Sequence, residues 1–152
     1  MPTDLELLDA WRGGDTQAGA SLFERYFEPV YRFFRHKVGG DVDDVVQRSF
    51  LAMTEARVRL REGSSFRGYL FACARNVLHD HLRGLYRGTG SMDTGVTSLF
   101  DLGASPSAQV EERQDRRLLL AALRRIPLDE QLAVELYYWE GLSGREVADV
   151  LG

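Results

Sequence analysis

Residues 66–87 read FRGYLFACARNVLHDHLRGLYR. Placed on a helix at about 100° per residue, Phe66, Leu70, Cys73, Ala74, Val77, Leu78, Leu82 and Leu85 gather on one side. Arg75, Asn76, His79, Asp80, Arg83, Tyr86 and Arg87 gather on the other. The first face belongs against a core. The second combines cations, an amide and an aromatic ring, the side chains with which a protein meets nucleic acid. The charge around it is uneven. Residues 57–87 hold seven arginines against Glu62 and Asp80, a local excess of five positive charges on a chain whose formal net charge is −4.

That local patch leaves −9 on the rest of the chain. An acidic body excludes a protein that coats DNA by bulk charge. It suits a targeted nucleic-acid contact combined with a protein partner. The hydrophobic content of 44% over 152 residues permits a packed core. Cys73 is the single cysteine, so no internal disulfide forms, and its place on the apolar face makes it a small core residue. No apolar run approaches the ~18 residues that span a bilayer. The opening MPTDLELLDAWRGGD is acidic and lacks a signal-peptide pattern. The expectation is a soluble, cytoplasmic protein with no membrane insertion.

Helical periodicity runs through the chain, and no stretch alternates as a strand does, so the expected class is all-α. Residues 3–12 form a short helix closed by Gly13-Gly14, and Asp15 caps the next one. That second helix carries Leu22, Phe23, Tyr26, Phe27, Val30, Tyr31, Phe34 and Val38 at helical spacing, with Pro29 expected to kink or break it. Asp41 should cap a third helix to about Leu60, with Val42, Val45, Val46, Ser49, Phe50, Met53 and Ala56 buried. Ser64 or Ser65 caps the helix at Phe66. Residues 88–107, rich in Gly, Ser and Thr, have the composition of a flexible linker, with Val96, Leu99, Phe100 and Leu102 as its greasy points. Helical signal returns over residues 108–126, is broken by Pro127, and resumes around Leu132 and Leu136. Ser143-Gly144-Arg145-Glu146 is a capping box, ahead of a stripe of Val147, Ala148 and Leu151. The expected organisation is a helical bundle over residues 1–87, a linker over 88–107 and a small helical unit over 108–152. The last helices resemble the entry to a helix-turn-helix.

With these pieces in order, the chain resembles a bacterial RNA polymerase sigma factor of the extracytoplasmic-function group. Three segments carry the resemblance: DVDDVVQRSFLAM (41–53), FRGYLFACARNVLHDHLRG (66–84) and LRRIPLDEQLAVELYYWEGLSGREVADVLG (123–152). It implies a region-two bundle that binds core polymerase and melts the minus-ten element, joined by the linker to a region-four unit. The chain stops where the recognition helix would begin, so the resemblance is to a sigma factor truncated within region four. By the same resemblance, Asp43, Asp44, Gln47, Arg48 and Leu51 meet the clamp helices of the largest polymerase subunit. The residues agree: opposite the buried stripe of the third helix, Leu51 and Val58 are apolar among carboxylates and a glutamine. Such a stripe fits a partner helix.

The strand that a sigma factor holds is the non-template strand of opened promoter DNA. Single strands are held by cations along the backbone and by flat surfaces or pockets for bases. Arg75, Arg83 and Arg87 are the candidates for phosphates, and Asn76, with both donor and acceptor, for a base edge. His79 shares this face. Asp80 is a base-edge acceptor or an ion-pair partner of Arg83 or Arg87. The resemblance makes residues 61–65, with Arg61, Ser64 and Ser65, the wall of a pocket for an extruded base. Tyr69 and Tyr86 suit stacking or core packing equally. The family commonly has an anti-sigma factor as a further partner; no residue here identifies one. His79, Asp80 and His81 do not converge as metal ligands, because neighbouring helix positions diverge, and no cofactor or catalytic constellation is expected. Two other readings remain open: a degenerate sigma-like regulator that binds polymerase or another protein without reading a promoter, and a dimeric helix-turn-helix regulator, which the large aromatic N-terminal bundle disfavours.

Overall fold

The computed structural model describes residues 1–61, 64–85, 93–103 and 113–152. These form α1 (Asp4–Arg12), α2 (Thr16–Phe34), α3 (Val42–Ala56), α4 (Phe66–Leu85), α5 (Gln114–Leu123), α6 (Leu128–Tyr138) and α7 (Gly144–Leu151). Short 3-10 turns, Gly39–Asp41 and Arg57–Arg59, flank α3. No strand occurs among the described residues, and the class is all-α as expected. No described helix is long and apolar enough to cross a membrane.

The helix starts follow local chemistry. Thr3 accepts from the Glu6 N–H, and Asp15 accepts from the N–H groups of Gln17 and Ala18. Ser65 accepts from the Gly68 N–H at 3.1 Å. Ser143 and Glu146 close a reciprocal capping box on α7. Each satisfies a donor that a helix end leaves unpaired. Asp41 departs from expectation: its side chain makes no cap bond, because the 3-10 turn carries it away from α3 and toward His81, 3.8 Å from its Nε2. Pro29 departs too, since α2 runs through it unbroken. Proline in a helix interior costs about 3 kcal/mol. Here Val30, Phe33 and Phe34 lie buried directly after it, and that burial holds the helical path.

The third helix buries the seven residues that its periodicity selects. Aromatic rings join the layers: Trp11 meets Phe23 edge-on at 5.3 Å, Phe23 meets Phe50 at 4.6 Å, and Phe33 meets Phe71 at 5.8 Å. Arg12 ties α1 to the end of α3, donating to the Arg57 carbonyl at 3.0 Å and to that of Leu60. On α4 the expected apolar face is buried except for Leu85, which is exposed. Gly68 and Phe71, outside that face, are buried as well. The reason is a second neighbour: α7 packs on α4 from the side opposite α3. In α7 the buried residues are Val147 and Val150 rather than Ala148, so the contact is rotated from the expected stripe.

The C-terminal helices therefore share a core with the N-terminal bundle. Leu99, Leu128, Leu132, Leu136, Leu142, Val147 and Val150 belong to the same contiguous cluster as Leu70 and Phe71. Where the sequence suggests a tether, residues 93–103 are bonded into the structure. Pro127 offers α6 no capping side chain. Instead the Leu128 N–H donates to the Thr97 carbonyl at 2.9 Å and the Asp129 N–H to that of Thr94 at 3.0 Å. The rest of the expected linker lies outside the described residues. So do the start of the helix expected over residues 108–126, Tyr86 and Arg87.

Gly19 marks the tightest approach between α1 and α2. A Cβ there would stand 2.5 Å from the Trp11 ring. Gly19→Val should lower stability by about 3 kcal/mol through overpacking, read as a reduced urea midpoint at unchanged slope.

Candidate functional site

Two surfaces emerge, one between α2 and α3 and one along α4. On the first, Asp43, Asp44, Gln47, Arg48 and Leu51 are all exposed, as their phase on α3 requires. Leu51 is 58% exposed and Val58 67%. Arg48 lies 3.2 Å from Asp44 one helical turn away, an exposed pair that contributes little. Beside Leu51 opens a groove of about 760 Å³ lined by Phe23, Phe27, Val46, Phe50 and Leu51, with Glu24, Glu28, Asp43, Gln47 and Thr54 around it. Phe27 is 46% exposed. Sequence reasoning assigned Phe23 and Phe27 to the interior with the rest of the α2 stripe. Their signal was present, since they stand at the edge of a stripe too wide for one helix face to bury.

On α4, Asn76, Asp80 and Arg83 are exposed, and Asp80 stands 4.0 Å from Arg83. Arg61 and Ser64 are exposed at its N-terminal end. They line a cleft of about 610 Å³ with Ser65, Gly68, Tyr69 and Ala72, whose opposite wall is Arg145, Glu146 and Asp149 of α7. Tyr69 is partly buried against the core and also faces this cleft.

Three expected strand contacts are otherwise engaged. Arg75 is not free for phosphate: its side chain is 17% exposed, and it donates to both carboxylate oxygens of Asp129 at 3.1–3.3 Å. The Thr94 hydroxyl holds that carboxylate from the other side at 2.9 Å. The Ser65 hydroxyl donates to Glu146 at 2.5 Å. His79 is half-buried with its Nε2 unpartnered, and burial, reinforced by Arg75, lowers its pKa. Tertiary packing, invisible in the phase of a single helix, is the reason in each case.

Sequence reasoning missed the partners at this junction. Arg67 chelates Glu146 through Nε at 2.8 Å and Nη2 at 2.9 Å. Arg32 chelates Glu140 through Nε at 2.9 Å and Nη2 at 2.6 Å. Lys37 is buried, donates to the Phe33 carbonyl at 2.6 Å and pairs with Glu135, itself bonded by Gln131. The capping box explained Glu146 so completely that its second role left no trace in sequence.

Residues 22–88 match the family described as Sigma-70 region 2. Over 97% of its length the chain is 30% identical to the ECF RNA polymerase sigma factor BldN of Streptomyces coelicolor, and it spans 57% of that protein. It is 28% identical over 98% of its length to the ECF RNA polymerase sigma-E factor of Salmonella typhimurium, spanning 83% of it. Among solved structures, that of CnrH in complex with the cytosolic domain of CnrY shares the fold, with a TM-score of 0.65 over 96% of this chain and 80% of the other at 24% identity.

Glu146 generates a pH signature. Its carboxyl is held far below the usual carboxylate range by the Arg67 hydrogen bond, against the opposing effect of burial, with help from the Ser143 N–H and the Ser65 hydroxyl. A lowered folded-state pKa adds stability above the unfolded value near 4.5 and loses it as pH falls further. The stability gap between wild type and Glu146→Gln should therefore shrink from about pH 6 to about pH 3, measured as the difference in urea midpoints.

Proposed function

We propose that this chain, a member of the extracytoplasmic-function group of RNA polymerase sigma factors, binds core polymerase through α2 and α3 and holds the opened minus-ten element along α4. The observation that carries the reading is the groove at Leu51. A folded chain that buries seven residues on one side of α3 has left Phe27 and Leu51 uncovered on the other, beside the carboxylates of Glu24, Glu28 and Asp43. Apolar residues inside a polar rim are how a protein surface accepts a partner helix. The clamp helices of the largest polymerase subunit are that partner, and the acidic rim selects a basic counterpart. The setting is the cytoplasm, where polymerase works.

The second half of the function is the grip on a single strand. Arg83 and Arg61 supply charge for phosphates, Asn76 supplies a donor and an acceptor for a base edge, and Tyr69 presents a ring at the cleft beside Ser64 and Ser65. An extruded base costs a few kcal/mol to unstack. Stacking contributes roughly 1–3 kcal/mol per base, so one or two captured bases offset that cost. Melting then follows from differential binding: these groups hold a separated strand better than a paired one.

One observation favours a second reading. Arg67 and Arg75 are both engaged by carboxylates of the C-terminal helices, as in a regulator that occupies polymerase without reading a promoter. Transcription separates the two readings. Core polymerase reconstituted with this chain should give runoff transcripts from members of a promoter library if the first holds, and none if the second does.

Asp44→Lys combined with Leu51→Ala should weaken binding to core polymerase at least tenfold, measured by co-purification and titration; retained binding would remove the docking assignment. Asn76→Ala combined with Arg83→Ala should leave that binding unchanged and lower runoff transcription at least tenfold. Each factor of ten corresponds to about 1.4 kcal/mol.

A further inference from the structure

Four ion pairs join the N-terminal bundle to the C-terminal helices: Arg32–Glu140, Lys37–Glu135, Arg67–Glu146 and Arg75–Asp129. In all four the cation belongs to the bundle and the carboxylate to the C-terminal helices. Two of them, at Arg67 and Arg75, lie on α4 itself. Bidentate capture of a carboxylate by a guanidinium uses the same donor fork that captures a phosphate. Glu146 and Asp149 also wall the cleft that holds Arg61, Ser64 and Tyr69, and their carboxylates repel a phosphate backbone entering there.

We infer that α6 and α7 act as an internal acidic ligand for α4, occupying in the free chain the cations that an opened DNA strand engages once these helices swing away. This rests on the strand-holding role proposed for α4. The occupant is a segment of the same chain, and the balance of charges makes it displaceable. The Arg67 and Arg75 pairs are partly exposed, so water and salt weaken them. Lys37 and Glu135 are almost fully buried, at 1% and 5% exposure. Burying such a pair costs about as much desolvation as its attraction returns, so it positions the docked helices without locking them. Undocking rehydrates both groups together and strands neither.

The geometry provides a reversible test. An ideal Cβ at Gly68 stands 4.0 Å from the Glu146 Cβ, within the span that a disulfide bridges. In Gly68→Cys/Glu146→Cys, oxidation fastens α7 to α4 and reduction frees it without its carboxylate. Binding is read by anisotropy of a fluorescein-labelled, thymine-rich 20-nucleotide single strand at low and at moderate salt. The reduced form should bind at least tenfold more tightly than the oxidised form. Asp129→Asn/Glu146→Gln, which needs no new bond, should bind at least fivefold more tightly than wild type, with helical content unchanged. Equal affinity of the oxidised and reduced forms, or no gain in the charge-neutralised variant, overturns the internal-ligand inference while leaving the strand-holding role standing. No binding in any form, including the reduced and neutralised ones, overturns both.

Discussion

Everything in this fold passes through α4. A 20-residue helix normally buries one stripe and leaves the opposite face to water. Here α3 takes one side and α7 another, so Gly68 and Phe71 are buried along with the expected Leu70, Ala74 and Leu78. What is left for solvent is a narrow polar strip that includes Asn76, Asp80 and Arg83. Burial from two sides fixes the register of that strip, because rotating α4 would drive charged residues into one core or the other. It also makes the C-terminal helices dependent on the bundle. An eight-residue helix such as α7 is far too short to be stable alone in water; docking Val147 and Val150 onto α4 is what holds it.

The two surfaces differ in how they avoid the cost of exposure. The groove between α2 and α3 keeps apolar side chains in water with nothing from the chain above them, a surplus that the fold did not require and that favours a partner. The α4 surface is charged, and there the chain has supplied its own counter-charges. The asymmetry seen in composition, a cationic segment on an acidic body, thus has a structural expression. The excess positive charge of the bundle faces the excess negative charge of the last helices across a shared apolar core.

Electrostatic strength does not follow the number of pairs. The junction gains alignment from its ion pairs and adhesion from Leu128, Leu132, Leu136, Val147 and Val150, all buried in the common cluster. Fully burying one such side chain stabilises by roughly 1.5–3 kcal/mol, whereas an exposed pair adds 0–1 kcal/mol. The carboxylates therefore choose where the helices sit, and the leucines and valines keep them there. That division leaves the docked arrangement sensitive to anything that competes for the arginines.

Much of this was legible from local pattern. The all-helical class, the stripe of α3 from Val42 to Ala56, the caps at Asp15, Ser65 and Ser143, and the outward phase of Asp43, Asp44, Gln47 and Leu51 all follow from period and capping chemistry, which act within one or two helical turns. Pro29, Asp41 and Ala148 escaped that logic because neighbours distant in sequence outweighed it: burial of Phe33 and Phe34 carried α2 through the proline, a 3-10 turn removed Asp41 from its cap, and α4 set the rotation of α7. The pairing of Arg75 with Asp129 and of Arg67 with Glu146 spans 54 and 79 residues. No periodicity encodes a contact of that range. It exists because two apolar surfaces met first and brought opposite charges within reach.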